Sequence, residues 1–126
     1  MINCPYEEDE QIAFVQWCHL NKIIVHHSGN EIGGSTSAMK IRAVKMKRMG
    51  TSKGFPDLIV LIPIYGVTGD IDCYQMAVIE MKRQKGGSVS EEQKEWLKNL
   101  ELAGVPCKVC HGAEEAIDFV KSFDIL

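Results

Sequence analysis

Two stretches decide the fold: Gly54-Phe-Pro-Asp57-Leu-Ile-Val-Leu-Ile-Pro-Ile64, and Cys73-Tyr-Gln-Met-Ala-Val-Ile-Glu-Met-Lys82. The run from Asp57 to Ile64 is apolar on both faces, which predicts a strand in a central position. The second run predicts another strand. Gly66 to Asp70 reads as a turn, and so short a connection makes the two an antiparallel hairpin. Charged residues stand at the ends of these runs: Asp57 opens the first, while Glu80 and Lys82 close the second. A carboxylate amid apolar neighbours is costly unless it is paired or binds a metal. Glu80 and Lys82 lie two apart in a strand and therefore on one face. A hairpin that brings Asp57 beside them makes a carboxylate pair with an ammonium alongside. That set suits metal-assisted phosphodiester hydrolysis, because two hard oxygen ligands hold Mg²⁺ or Mn²⁺. A structural Asp/Glu/Lys ion-pair cluster uses the same residues, and spacing alone does not separate the two.

Outward from the hairpin, Glu7 to Leu20 reads as a helix with an acidic first turn suited to its macrodipole. Ile23 to Val25 is a β-branched run fit for a short strand, followed by a loop from His26 to Asn30. Residues 31–37 are rich in glycine and serine and are expected to be mobile. Ser37 to Met49 predicts a helix with Met39, Ala43 and Met46 on one face and Gly50 at its C-cap. Beyond the hairpin, Gly86-Gly87 breaks the chain. Ser90 to Ala103 is a helix, Val105 to Cys110 a third core strand and Glu114 to Phe123 a last helix. Neither a repeat nor a dividing linker interrupts residues 1–126, so a single α/β domain is expected.

The 126 residues carry 14 Lys and Arg against 17 Asp and Glu, a net charge of −3. The average hides a segregation. From Lys40 to Lys85 nine basic residues face four acidic ones, a balance of +5, and the remainder stands at −8. No acid interrupts residues 32–56, which hold Lys40, Arg42, Lys45, Lys47, Arg48 and Lys53. With Arg83 and Lys85 they supply a phosphate-tracking surface, a solvated helix face being the plainer reading for some of them. No aromatic residues are interleaved, so base stacking is not indicated. The first residues lack a basic segment followed by an apolar one, and no apolar run approaches the ~20 residues a bilayer demands, so an intracellular setting, cytoplasmic or nucleoid-associated, is expected. Five cysteines in such a chain are expected to be reduced thiols.

Gly54-Phe-Pro-Asp57, followed after 22 residues by Glu80-Met-Lys82, resembles the PD-(D/E)XK nuclease signature. More specifically the chain resembles the VRR-NUC domain, the virus-type replication-repair nucleases. Further landmarks in family order are Gln11, Asn30, Gly50, Gly54, Gly87, Ser90, Gln93, Trp96 and Gly112-Ala-Glu-Glu-Ala116. The resemblance implies a restriction-endonuclease-like αβββαβ core with a mixed central sheet flanked by helices. It implies Asp57, Glu80 and the Met81 carbonyl as ligands of Mg²⁺ or Mn²⁺, and Lys82 as the catalytic lysine. It also implies an acid from the first helix, for which Glu7, four residues before Gln11 and so on its face, is favoured over Glu10. Glu8 and Asp9 read as a solvated first turn.

The function implied is that of a divalent-metal-dependent DNA endonuclease acting on branched or flapped DNA such as a Holliday junction, in replication, recombination or repair. A homodimer cutting two strands symmetrically is expected from one site per chain. The alternative is a non-catalytic DNA-binding module on a nuclease fold. Ser90-Glu-Glu-Gln93 fits a helix capping box, while the resemblance places Gln93 near the active site, and both roles stay open. Cys107-Lys-Val-Cys110-His111 matches a haem-attachment pattern but falls in an expected strand, where the two thiols point to opposite faces. They read as small buried hydrophobes, and His26-His27 as surface residues. Trp17 and Trp96 read as core.

Overall fold

The computed structural model describes residues 4–28 and 36–123; Asn30 and most of the glycine- and serine-rich segment expected to be mobile lie outside them. The elements run α1 (Glu7–Leu20), β1 (Ile24–His27), α2 (Ser37–Arg48), β2 (Leu58–Tyr65), β3 (Ile71–Lys82), α3 (Glu91–Leu102), β4 (Cys107–His111) and α4 (Ala113–Lys121). The four strands form one sheet in the order β1-β2-β3-β4. The first two pairings are antiparallel and the third is parallel. The expected mixed sheet and αβββαβ order are present, with α2 inserted after β1 and α4 added at the end.

The β2–β3 hairpin is the centre of the sheet. Leu58 lies opposite Ile79 and Val60 opposite Ala77, and the loop closes with Gly66 N–H donating to the Asp70 carbonyl at 2.8 Å. Facing α1 and α4, the side chains of Leu58, Val60, Ile62, Ala77, Ile79 and Met81 pack on Phe14, Cys18, Cys110, Ala116 and Val120. The opposite face carries Val78, Glu80 and Lys82 toward α3. Only one face of β2 is sealed: Leu58, Val60 and Ile62 are buried, whereas Ile59 and Leu61 are half-buried. The expectation of a strand buried on both faces is met instead by the end of β3, where six consecutive residues, Ala77 to Lys82, are buried.

Several sequence expectations are corrected. His26 and His27 belong to β1 and not to a loop, because their backbone pairs with Ile59 and Leu58; ladder hydrogen bonding outweighs the weak strand preference of histidine. Helix α2 is capped by Thr36, whose hydroxyl accepts from Met39 N–H at 3.1 Å, yet it buries no residue, and Met39 of its expected core face is exposed. Trp17 and Trp96 are half-buried, Trp17 stacked on Phe14 with centroids 6.1 Å apart and Trp96 edge-on to Phe55 at 5.0 Å. Cys110 lies in the core, whereas Cys107 donates to the Leu97 carbonyl on α3, so the two thiols do face opposite ways. Burial pushes the Cys110 thiol up to about 12, far from the thiolate form.

Helix α4 has no cap of its own, since its N-cap is Gly112. Glu10 of α1 supplies the acceptor, its Oε2 taking Ala113 N–H at 3.1 Å. Gly112 has φ 104° and ψ 164°, a region that only glycine occupies without strain. A β-carbon there would also overlap the Glu10 carboxylate. Gly112→Ala should therefore cost about 1–3 kcal/mol, seen as a lower urea midpoint with an unchanged denaturant slope. An unaltered midpoint would show that this junction does not hold α1 to α4.

Candidate active site

Asp57 stands one residue before β2, where the ladder continued from Leu58–Ile79 places it across from Glu80. Its Oδ2 accepts Met81 N–H at 2.9 Å, so the carboxylate takes the place of a strand carbonyl at the end of the sheet. The backbone N–H of Met81 thus lies against Asp57. Glu80 is 2% exposed and Lys82 9%. The Lys82 ammonium is 3.6 Å from Glu80 Oε1.

Gln93 closes the capping box and also reaches Glu80 and Lys82. Its Oε1 accepts Ser90 N–H at 2.9 Å while Ser90 Oγ accepts Gln93 N–H at 3.1 Å, which completes the capping box. Its Nε2 donates to Glu80 Oε1 at 2.8 Å, and its Oε1 also accepts from Lys82 Nζ at 3.4 Å. A cap fixes the rotamer, so the same constraint that starts α3 aims the amide at Glu80. Gly54 sets the approach of α3. It holds φ +90°, and a β-carbon there would come within 2.7 Å of the Glu92 backbone. The adjoining Phe55–Trp96 contact locks the turn before Asp57 onto the helix that carries Gln93.

Glu80 Oε2 is enclosed and, when ionised, has no hydrogen-bond partner. Burial first, then the neighbouring Asp57 carboxylate, pushes the Glu80 carboxyl up to about 8, against the opposing pull of Lys82. A side-chain interaction with Asp57 pushes it in the same direction. Two carboxyl groups so placed call for either a shared proton or a cation between them. A divalent cation fits this demand, since it would satisfy the orphaned Oε2 with hard oxygen donors already aimed together. Among the described residues no cluster of three or more Asp, Glu, His or Cys side chains is assembled to hold a metal. The two carboxylates are a pair, and any further ligand comes from outside it.

A cleft of about 560 Å³ opens beside Asp57, lined by Glu7, Glu8, Gln11, Ile12 and His27. Glu7, half-buried in the first turn of α1, shares it with Asp57. Glu10 does not line it, being spent on Ala113 and on Gln84, whose Nε2 donates at 3.2 Å. Sequence reasoning missed His27, whose place in the cleft follows only from the β1–β2 register.

The basic residues separate. Lys40, Arg42, Lys45, Lys47 and Arg48 are exposed on α2. Lys53 lies 3.8 Å from Glu92 in an exposed pair, so the stretch that is free of acids in sequence meets one in space. Lys85 is exposed. Arg83 is turned toward the N-terminal segment, its Nη2 donating to the Cys4 carbonyl at 2.9 Å and its Nε to that of Pro5 at 3.2 Å.

A family model described as the VRR-NUC domain matches residues 2–114. Among solved structures, a protein described as a VRR_NUC domain protein superposes with a TM-score of 0.71 at 24% identity, over 97% of this chain and 90% of that one. No curated protein matches the chain.

The raised Glu80 carboxyl has a sign that can be checked. Unfolded, the group loses its proton near 4.5, whereas folded it keeps it to about 8. Between these values the native state binds more protons, so the stability of the metal-free protein falls as pH rises. In chelator, the urea midpoint should drop more between about pH 5 and about pH 8 for wild type than for Glu80→Gln, which has no proton to release. Equal slopes would contradict the burial of this carboxyl.

Proposed function

The chain belongs to the VRR-NUC domain family, a nuclease-type fold, and on that premise we propose that it is a divalent-metal-dependent DNA endonuclease of the PD-(D/E)XK kind. The observation that carries the reading is the enclosed, partnerless Oε2 of Glu80 set against Asp57 beside the cleft. Asp57 and Glu80 would hold Mg²⁺ or Mn²⁺, with the Met81 carbonyl and, from α1, Glu7. When bound, such an ion supplies Lewis acidity at the scissile phosphate and lowers the pKa of an attacking water.

The remaining chemistry falls to the chain's own residues. Lys82 sits on the same strand face as Glu80, and its ammonium orients the attacking water and stabilises charge that develops on the phosphate. Held in low exposure, it acts with little screening by water. Gln93 holds Glu80 Oε1 and Lys82 Nζ together, which leaves Oε2 as the free donor atom. The turn at Gly54 and the Phe55–Trp96 contact keep this amide in register with the strand ends.

The DNA backbone is gathered by Lys40, Lys45, Lys47, Arg48, Lys53 and Lys85. A helix that buries nothing and carries no acid can lie along phosphates without desolvating a core. Lys47 and Lys53 border a cleft of about 470 Å³ with Thr51, Ser52 and the Glu92 that pairs with Lys53, next to the turn that leads into Asp57. We include in the proposal a preference for Holliday-junction, flap or other branched DNA, a role in replication, recombination or repair, and a homodimer with one site for each strand.

Incubation of labelled four-way junction, flap and duplex DNA with Mg²⁺, Mn²⁺ or chelator tests the reading. Wild type should cut a branched substrate only with metal, and Lys82→Ala should cut it about 10²–10³-fold more slowly. Wild type that binds DNA and leaves every substrate intact would make the domain a non-catalytic binding module.

A further inference from the structure

Arg83 and Glu10 make contacts that the proposed chemistry does not use, and they grip the same turn. Arg83 donates to the carbonyls of Cys4 and Pro5, and its guanidinium lies 5.2 Å over the ring of Tyr6. These three residues lead directly into α1. From the other side Glu10, 8% exposed, is held by Gln84 Nε2 and Ala113 N–H. Arg83 and Gln84 follow Lys82 in the chain, and the Lys82 carbonyl itself accepts Gly112 N–H at 3.0 Å. The first turn of α1 is therefore fastened at both ends to the strand terminus that carries Glu80 and Lys82.

The first turn of a helix lacks intrahelical partners for its N–H groups and is held by the contacts made around it, and Glu7 lies in this turn, lining the cleft shared with Asp57. We propose that Arg83 is a positioning residue, which with Glu10 as its counterpart holds Glu7 where it completes the metal site. This rests on the metal-site reading above. The planar fork of Arg83 suits two carbonyls and an aromatic face together, which a lysine cannot match. The role differs from the phosphate contact expected of Arg83 from sequence, because its donors are directed at protein carbonyls.

The test is titration of the full chain with Mn²⁺, followed by calorimetry without DNA, for wild type, Arg83→Gln, Glu7→Gln and the double variant. Arg83→Gln should weaken Mn²⁺ binding about tenfold, as loss of a residue that orients a ligand does. In the Glu7→Gln background the same change should add nothing, since the residue acts through Glu7. An unchanged affinity in Arg83→Gln, or an equal loss in both backgrounds, overturns the proposal; the second result also covers a variant that is merely misfolded. A second readout is the salt dependence of duplex binding in chelator. Its logarithmic slope should be the same for Arg83→Gln as for wild type, and a fall of about 0.9 would make Arg83 a phosphate contact and overturn the proposal. Wild type that takes up no Mn²⁺ removes the metal-site reading and this inference with it, whereas wild-type binding that is indifferent to Arg83 removes the inference alone.

Discussion

Two carboxyl groups, those of Asp57 and Glu80, stand opposite each other at the end of a sheet, Glu80 buried and Asp57 half-buried at the edge of a cleft. Burying an ionised carboxylate is costly, and a second one beside it raises the cost. The surroundings meet part of this cost: Met81 N–H serves Asp57, while Gln93 and Lys82 serve one oxygen of Glu80. The other oxygen is left without a partner and asks for a proton or a cation. Much of the local architecture follows from supplying these contacts. The capping box of α3 delivers Gln93, and Gly54 allows α3 close enough for that delivery. The hairpin register puts the two acids opposite each other.

The core and the site use opposite faces of the same strands. Leu58, Ile79 and Met81 point toward α1 and α4, while Glu80 and Lys82 point toward α3. Close packing on the first face holds the strand ends rigid, which an arrangement of charged groups needs if its geometry is to last. The second face carries a small set of polar groups, each held by another. Helix α2 stands apart from both layers, with no buried residue and a row of basic side chains. Its placement sets a row of exposed basic side chains apart from the carboxylate pair, and explains how a chain of net charge −3 can offer a local positive surface.

Much of this was legible in the sequence. The hairpin strands announced themselves by β-branched apolar runs around a glycine-rich turn, and the charges at their ends marked the site. Strand periodicity put Glu80 and Lys82 on one face, and Asp57 joined them on the condition that the hairpin formed, which its register meets. Gln93 could not be given one set of contacts because it makes two, and a capping pattern carries no sign of what else the side chain reaches. Glu10 was illegible for a different reason. Its partner Ala113 is 103 residues away, and helical spacing, which sets Glu7 on the face of Gln11, carries no sign that Glu10 caps a distant helix. His26 and His27 were misplaced because strand pairing, a tertiary effect, overrode their weak preference. For Met39 the error ran the other way, since apolar spacing on a helix predicts a buried face only if another element arrives to cover it.

The central claim, that Asp57 and the free oxygen of Glu80 share a divalent cation, is most directly tested by anomalous scattering from a crystal soaked in Mn²⁺. One dominant peak is expected within about 2.0–2.3 Å of oxygens from both carboxylates, with Gln93 still on Glu80 Oε1. Ordered manganese elsewhere, with Asp57 and Glu80 joined to each other by a hydrogen bond and no density between them, would contradict it.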